Sequence, residues 1–122
     1  MDKTLKTSQY RATLPERVEA RIESSEDGLW AYLSTKDGRL SHCYTQAANM
    51  TELLPMINDA ILTSFEIPEE YRGDVGYYIP LGEEHVKIEE ILNRMIAIEK
   101  QASASGESLA TLTLKDAMLQ VC

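Results

Sequence analysis

The 122-residue chain has little cysteine and no long apolar run. Cys43 and Cys122 are too few for a disulfide framework or a four-cysteine metal site, so we expect two reduced thiols. No segment approaches the roughly 18 consecutive apolar residues of a membrane span, and residues 1–14 lack a signal-peptide core. These absences predict a cytoplasmic protein.

Motifs for common chemistry are also absent from the sequence. It contains no glycine-rich phosphate loop, no zinc-ligand spacing and no nucleophile elbow. His42 and Cys43 are neighbours on a predicted strand, where successive side chains point to opposite faces, so they are poorly placed to form a base–nucleophile pair. His85 stands alone among acidic residues. The residues therefore predict no enzyme activity, no metal and no cofactor.

Basic residues are scarce in the second half of the chain. The formal net charge is −8, from 12 Lys and Arg against 20 Asp and Glu. Residues 1–50 contain seven of each sign, so the whole negative surplus lies in residues 51–122. An acidic surface repels phosphates and gains nothing from counterion release, which argues against direct nucleic-acid binding. It favours a basic partner, or it only keeps the protein soluble.

Three strands are predicted between residues 18 and 45. Apolar and polar residues alternate in segments 18–23, 29–34 and 40–45. Asp-Gly pairs at 27–28 and 37–38 separate these segments, and such pairs are typical of tight turns. The pattern predicts an antiparallel meander, one face of which needs a cover.

A helix after the meander can provide that cover. Apolar residues recur every three or four positions between residues 53 and 65, and Asn49 or Thr51 can cap the helix start. Pro55 has no amide hydrogen to donate, so we expect the helix to begin close to it or to bend there. Pro68 ends the helix, because the residue before a proline is pushed out of helical geometry.

The C-terminal third predicts a further strand and a further helix. Residues 75–80 fit a fourth strand, at a sheet edge because Pro80 cannot donate within a ladder. A helical pattern covers residues 83–101, and small residues at 102–108 resemble a linker. Residues 109–122 are equally compatible with a strand or with a last helix.

These elements predict an α+β fold: a three-stranded antiparallel meander, with a possible fourth edge strand, covered by one helix and followed by a C-terminal helix. Residues 1–15 are expected to be a loose N-terminal arm, residues 16–81 the α+β domain, and residues 82–122 a C-terminal helix and tail. That helix either packs on its own domain or pairs with a second copy to form a homo-oligomer. The oligomerisation residues predicted from its apolar stripe are Ile88, Ile91, Leu92, Met95 and Ile98.

Residues 18–65 resemble the HicB-type antitoxin domain. The likeness lies in Cys-Tyr-Thr-Gln at 43–46, the helix start Thr-Glu at 51–52, and Ile-Asn-Asp-Ala-Ile at 57–61. The Trp-Ala-Tyr segment at 30–32, after a Glu-Asp-Gly turn, fits the hairpin that precedes this region in the family.

The chain differs from the HicB pattern at identifiable places. Ser-His at 41–42 replaces a Pro-Gly pair before the cysteine, and Ala-Ala-Asn at 47–49 replaces a Gly-Asp-Thr turn. Leu53-Leu54-Pro55 also departs from the family's helix. Typical members continue into a DNA-binding module, for which the residues after 101 are too few and not basic.

The resemblance implies a partial RNase-H-like fold and a role as a protein partner. HicB-like domains bind and block HicA, a small basic toxin that cleaves mRNA, and they lack the metal-binding carboxylates of RNase H. Two other interpretations stay open: an orphan structural or regulatory homo-oligomer of the same fold, and an enzyme or nucleic-acid binder on an RNase-H-like scaffold. The candidate partner-binding residues are Trp30, Tyr32, Tyr44, Glu69, Glu70 and Tyr71, although the aromatic residues could simply cover the second face of the sheet.

Overall fold

One antiparallel sheet with helices on one face organises the described chain. The computed structural model describes residues 2–80 and 88–115. Across the sheet the strands follow the order β3-β2-β1-β5-β4, and every neighbouring pair is antiparallel. The elements in chain order are α1 (Asp2–Thr13), β1 (Arg17–Ser25), β2 (Gly28–Ser34), β3 (Cys43–Ala47), α2 (Met50–Ser64), a 3-10 turn (Glu69–Tyr71), β4 (Tyr77–Pro80), α3 (Ile88–Ser105) and β5 (Glu107–Lys115).

The predicted meander of β1, β2 and β3 is confirmed. Ser25 pairs with Gly28 at the first turn, and Leu33 pairs with Cys43 across β2 and β3. Gly28 has a φ of 123°, and a Cβ built there would lie 2.5 Å from the Ala47 carbonyl oxygen. Only glycine therefore fits this turn, because any side chain would collide with the β3 backbone.

The third strand begins later than its alternating pattern predicts. β3 starts at Cys43, whereas the pattern starts at Leu40. His42 has a φ of 57°, a left-handed conformation that is incompatible with a strand. Thr35 and Leu40 instead close a loop, with the Thr35 amide donating to the Leu40 carbonyl oxygen at 3.0 Å.

Helix α2 covers the meander as predicted, with Asn49 as its cap. The Asn49 side chain accepts a hydrogen bond from the Glu52 amide at 3.0 Å. The helix begins at Met50, so Pro55 lies inside it and removes one backbone hydrogen bond in its second turn. The helix ends at Ser64 in a Schellman motif, in which Glu66 takes the left-handed position with φ of 56°.

The C-terminal segment belongs to the same sheet as the meander, which differs from the predicted division at residues 81 and 82. β5 lies between β1 and β4, and its 107–113 segment pairs with β1 residue by residue. The expected linker at 102–108 is instead the end of α3 and the start of β5. β4 is at the sheet edge, as Pro80 predicted. The central position of β5 could not follow from local pattern, because it depends on pairing between residues far apart in the chain.

The N-terminal segment forms helix α1 and is not the loose arm that its composition predicted. Tyr10 packs on Tyr71 with ring centroids 5.1 Å apart. The Arg11 guanidinium donates a hydrogen bond to the Val75 carbonyl oxygen. The segment has no strong apolar stripe, so its own sequence could not predict the contacts that hold it.

Helix α3 packs on its own sheet. Met95, Ile98 and Ala102 are buried in the core, and Ile91 is partly buried against it. Met95 and Ile98 are therefore unavailable as surface oligomerisation residues, which corrects that prediction; the side chain of Ile88 lies outside the described residues. Of the predicted stripe, Leu92 is 50% exposed. No described helix is long and apolar enough to cross a membrane.

Candidate functional site

The sheet has one face packed against α2 and α3 and a second face on the other side. We call the second one the open face. On β1, Val18, Ala20 and Ile22 are buried under the helices, while Glu19 and Arg21 point the other way and are exposed. The strand pairings extend this alternation across the sheet, so one side of every strand contributes to the open face.

Three aromatic residues lie together on the open face, and we call them the aromatic cluster: Trp30, Tyr32 and Tyr44. Trp30 and Tyr32 are two residues apart on β2, and Tyr44 pairs with Tyr32 across β3. The Tyr44 ring centroid lies 5.9 Å from that of Trp30 and 6.2 Å from that of Tyr32. Tyr44 is 61% exposed. The sheet therefore presents a connected aromatic surface to solvent.

Charged residues border the aromatic cluster on β1. The Arg21 guanidinium carbon lies 4.8 Å from the Tyr32 ring centroid, within the range of a cation–π contact. Arg21 also forms an ion pair with Glu23 at 3.0 Å. Since both side chains remain substantially exposed, this ion pair stabilises the fold little and stays accessible to a partner.

A groove of about 640 Å³ runs over the open face. Its walls include Tyr32 and Tyr44 on one side and Leu109 and Thr111 of β5 on the other. Leu109 is 76% exposed, the most exposed large apolar side chain described. Sequence reasoning missed this residue, although the alternation of residues 108–114 contains the signal that would have placed it on a strand face.

His42 and Cys43 do not act as a pair in this geometry. His42 is exposed at the rim of the groove, whereas Cys43 lies on the helix-covered side of β3. The Cys43 Sγ atom is 3.5 Å from Ser64 Oγ and 4.0 Å from the Ala60 carbonyl oxygen, both in α2. Among the described residues, no group of three or more His, Cys, Asp or Glu side chains could hold a metal ion.

The other predicted partner-binding residues lie on a different part of the molecule. Glu69 and Glu70 are exposed on the 3-10 turn that follows α2, and Tyr71 is partly buried against Tyr10 of α1. The structure thus divides the predicted set into the aromatic cluster and an acidic turn. Sequence reasoning could not separate the two groups, because the return of the chain after α2 depends on tertiary contacts.

Three ionisable groups are shifted by their surroundings, and each shift has a structural cause. Burial raises the pKa of the Tyr77 phenol on the edge strand β4. Asp37 accepts hydrogen bonds from the Thr35 hydroxyl at 2.7 Å and from Arg39, which lowers the pKa of its carboxyl to about 2. Burial raises the pKa of the Tyr78 phenol, whose hydroxyl donates to the Pro15 carbonyl oxygen. Asp37 and Tyr78 are away from the open face, and Tyr77 is shifted by burial alone, so these shifts reflect a loop and packing and do not indicate a reaction site.

The fold and its open face define an α+β protein with an exposed aromatic sheet surface. Comparisons with protein-family models, with curated proteins and with solved structures find no match to the chain. A function for the chain must therefore be inferred from the geometry of the open face and from the residues themselves.

Proposed function

We propose that the chain is a non-catalytic protein-binding module resembling a HicB-type antitoxin, which neutralises a small basic mRNA-cleaving toxin by covering its active surface. The observation that carries the proposal is the aromatic cluster on the open face. Tyr and Trp are enriched at the centres of protein interfaces, where they bury a large area with few rotatable bonds. A connected set of such rings on an uncovered sheet surface suits a protein partner.

The charge distribution supports a basic partner. Exposed carboxylates are spread over the layer of α2, the 3-10 turn and α3, in keeping with the surplus of acidic residues after residue 50. Such a field accelerates the approach of a cationic protein, and it acts mainly on the association rate. The aromatic cluster would then slow dissociation, because its apolar area is released to water when the complex separates.

Local geometry adds to the support from the HicB resemblance. The elements β1, β2, β3 and α2 cover the same stretch of chain as the matched residues 18–65. His42 has φ of 57° at the position where the family has glycine, the residue that adopts positive φ without strain. Asn49 caps α2 where the family has threonine, another good N-cap residue.

Occlusion requires that the partner's own working surface be the one covered. A toxin that cleaves mRNA needs a cationic face for the RNA phosphates. An acidic protein that docks its open face there would exclude RNA without any catalytic group of its own. On β1, beside the aromatic cluster, Glu19 is exposed and Glu23 is partly exposed, so both are placed to meet basic side chains of such a face.

The test is binding to a small basic protein encoded by a neighbouring reading frame, purified in an inactivated form. We expect Trp30→Ala to weaken affinity about 30-fold, since it removes a central aromatic contact. The double variant Glu69→Lys and Glu70→Lys should slow association more than the double variant Glu89→Lys and Glu90→Lys on α3, which changes net charge equally and should slow association only through the overall field. Circular dichroism checks that each variant is folded.

Either of two results would overturn the proposal. One is a genome in which no neighbouring frame encodes a small basic protein that binds the chain. The other is a complex whose affinity is unchanged by Trp30→Ala, by Tyr44→Ala and by both charge-reversal pairs. The second result would show that the partner uses neither the aromatic cluster nor the exposed carboxylates of the 3-10 turn and α3.

A second candidate function is an orphan homo-oligomer with no toxin partner. One observation favours it: Leu92 and Ile96 are each about half exposed on α3, beside the buried stripe. Two apolar residues one helical turn apart form a small patch that a second copy could cover. Light scattering on Leu92→Glu tests this candidate, because the variant should form smaller assemblies in solution than the unmodified protein does.

A further inference from the structure

We propose that the outer edge of β3 pairs with the same edge of a second copy of the chain, in antiparallel register about a two-fold axis near Thr45. The inference is independent of toxin binding. It shares self-association with the second candidate function but places the contact at the sheet edge and not on α3. The resulting dimer would have one continuous sheet through both copies.

Strand β3 is an edge of the described sheet and lacks the residues that usually protect an edge. Among the strands that the structure describes, the sheet order leaves β3 and β4 with one unpaired side each. β4 ends in Pro80, which has no amide hydrogen to donate. β3 reads Cys-Tyr-Thr-Gln-Ala, with no proline, no glycine and no charge. Natural sheets normally block their edges with charged side chains or proline, so an edge without them is suited to strand addition.

The surface that flanks this edge is partly apolar. A groove of about 390 Å³ separates β3 from the outer side of α2, with Cys43 and Tyr44 on one wall and Ala60 and Thr63 on the other. Met56 lies one helical turn before Ala60 and is 45% exposed. An added strand would thus hydrogen-bond along β3 and cover apolar area on both sides.

The residues of β3 favour a second copy of the chain as the occupant of this edge. Centred on Thr45, self-pairing places Tyr44 opposite Gln46 of the second copy and Cys43 opposite its Ala47, so larger residues meet smaller ones. Thr45 faces its own equivalent, a favourable cross-strand pair. Because β3 has no charge, self-pairing brings no like charges together along the strand. A strongly charged strand from another protein would have no opposite charge on β3 to pair with. Asp59, the carboxylate beside the groove, is already paired with Arg72 at 2.7 Å.

The size of the edge determines the expected strength. Five residues and their flanking side chains form an interface at the small end of specific contacts, below roughly 1,200 Å² in total. We therefore expect a reversible dimer with a dissociation constant in the micromolar range, which forms and separates with protein concentration.

Cross-linking tests the register directly. In the background Cys43→Ser and Cys122→Ser, the variant Thr45→Cys should form an intermolecular disulfide under mild oxidation. Paired residues in antiparallel strands have Cα atoms about 4.5 to 5.5 Å apart, which a disulfide can span. Leu109→Cys in the same background is the control, because this position is more exposed but belongs to an interior strand. Equal cross-linking of the two variants, or none in either, would overturn the proposed register.

Sedimentation over a concentration series tests the interface without cysteines. The unmodified protein should shift from monomer to dimer mass as concentration rises, and Tyr44→Lys should raise the dissociation constant at least tenfold. Leu109→Lys is the matched control, and its dissociation constant should stay within twofold of that of the unmodified protein. A protein that stays monomeric at all concentrations would contradict the proposal. A dimer lost in Leu92→Glu but retained in Tyr44→Lys would assign self-association to α3 and refute the β3 contact.

Discussion

The two faces of the sheet are made by the same strands, but one face is buried under helices and the other is exposed to water. On the covered face, Val18, Ala20 and Ile22 are fully buried and pack against α2 and α3. On the open face, the alternate residues of β1 are charged and those of β2 include Trp30 and Tyr32. These side chains remain in contact with water. The comparison indicates that the covered face determines stability, while the open face is free to be specialised for binding.

The largest expected difference between the faces is in tolerance to truncation. Ile61→Ala, in the fully buried stripe of α2, should lower the free energy of unfolding by about 3.5 kcal/mol, because it loses apolar burial and leaves a cavity. Leu109→Ala on the open face should change it by less than about 0.5 kcal/mol. Urea denaturation of both variants measures the difference. Similar losses in the two variants would show that the open face is part of the core.

A buried polar contact gives the next largest effect on the covered face. The Asn58 side chain donates to the Tyr78 carbonyl oxygen at 2.9 Å and accepts from the Tyr78 amide at 2.6 Å, which ties α2 to β4. Asn58→Ala should lower the free energy of unfolding by about 2 to 3 kcal/mol, since the Tyr78 backbone groups lose their partner. Thr63→Ala, exposed on the same helix, is the control for denaturation. A loss no larger than that of the control would mean that water replaces the amide.

The smallest effect concerns backbone conformation at the rim of the open face. His42 has φ of 57° and an exposed side chain, so its replacement removes strain without removing packing. His42→Gly should raise the free energy of unfolding by about 0.5 to 1 kcal/mol. Ser41→Gly is the matched control, and we expect it to destabilise slightly because Ser41 does not have a positive φ. The thermal midpoints of the two variants should therefore shift in opposite directions; a shift downward in both would disprove the strain at His42.

Several elements could be predicted because their signals are local. The alternation on β1 and β2, with a tight turn ending at Gly28, places two strands and their pairing without distant information. Asn49 marks the start of α2 through its own side-chain hydrogen bond. Pro80 restricts β4 to an edge whatever surrounds it. The same alternation places Trp30 and Tyr32 on one face, whereas only the register of β3 against β2 adds Tyr44 to them.

Other features could not be predicted because the deciding contacts are distant in the chain. Helix α1 packs through Tyr10 against Tyr71, and no pattern in either segment predicts this contact. Leu92 and Met95 look equivalent in the apolar pattern of α3, but only the docking of that helix decides that Met95 is buried. The acidic turn belongs to the same predicted set as the aromatic cluster, and only the path of the chain after α2 separates the two.

By itself, the sequence determined the α+β class, the strand alternation, the cap of α2 and the excess of acidic residues, because each of these depends on neighbours within a few positions. The tertiary structure alone decided that β5 lies between β1 and β4, that α3 turns its apolar stripe inward, and that β3 is an edge strand of the described sheet. The physical reason is that strand order and helix docking minimise the exposed apolar area of the whole chain. That area depends on contacts between distant segments, which no local pattern predicts.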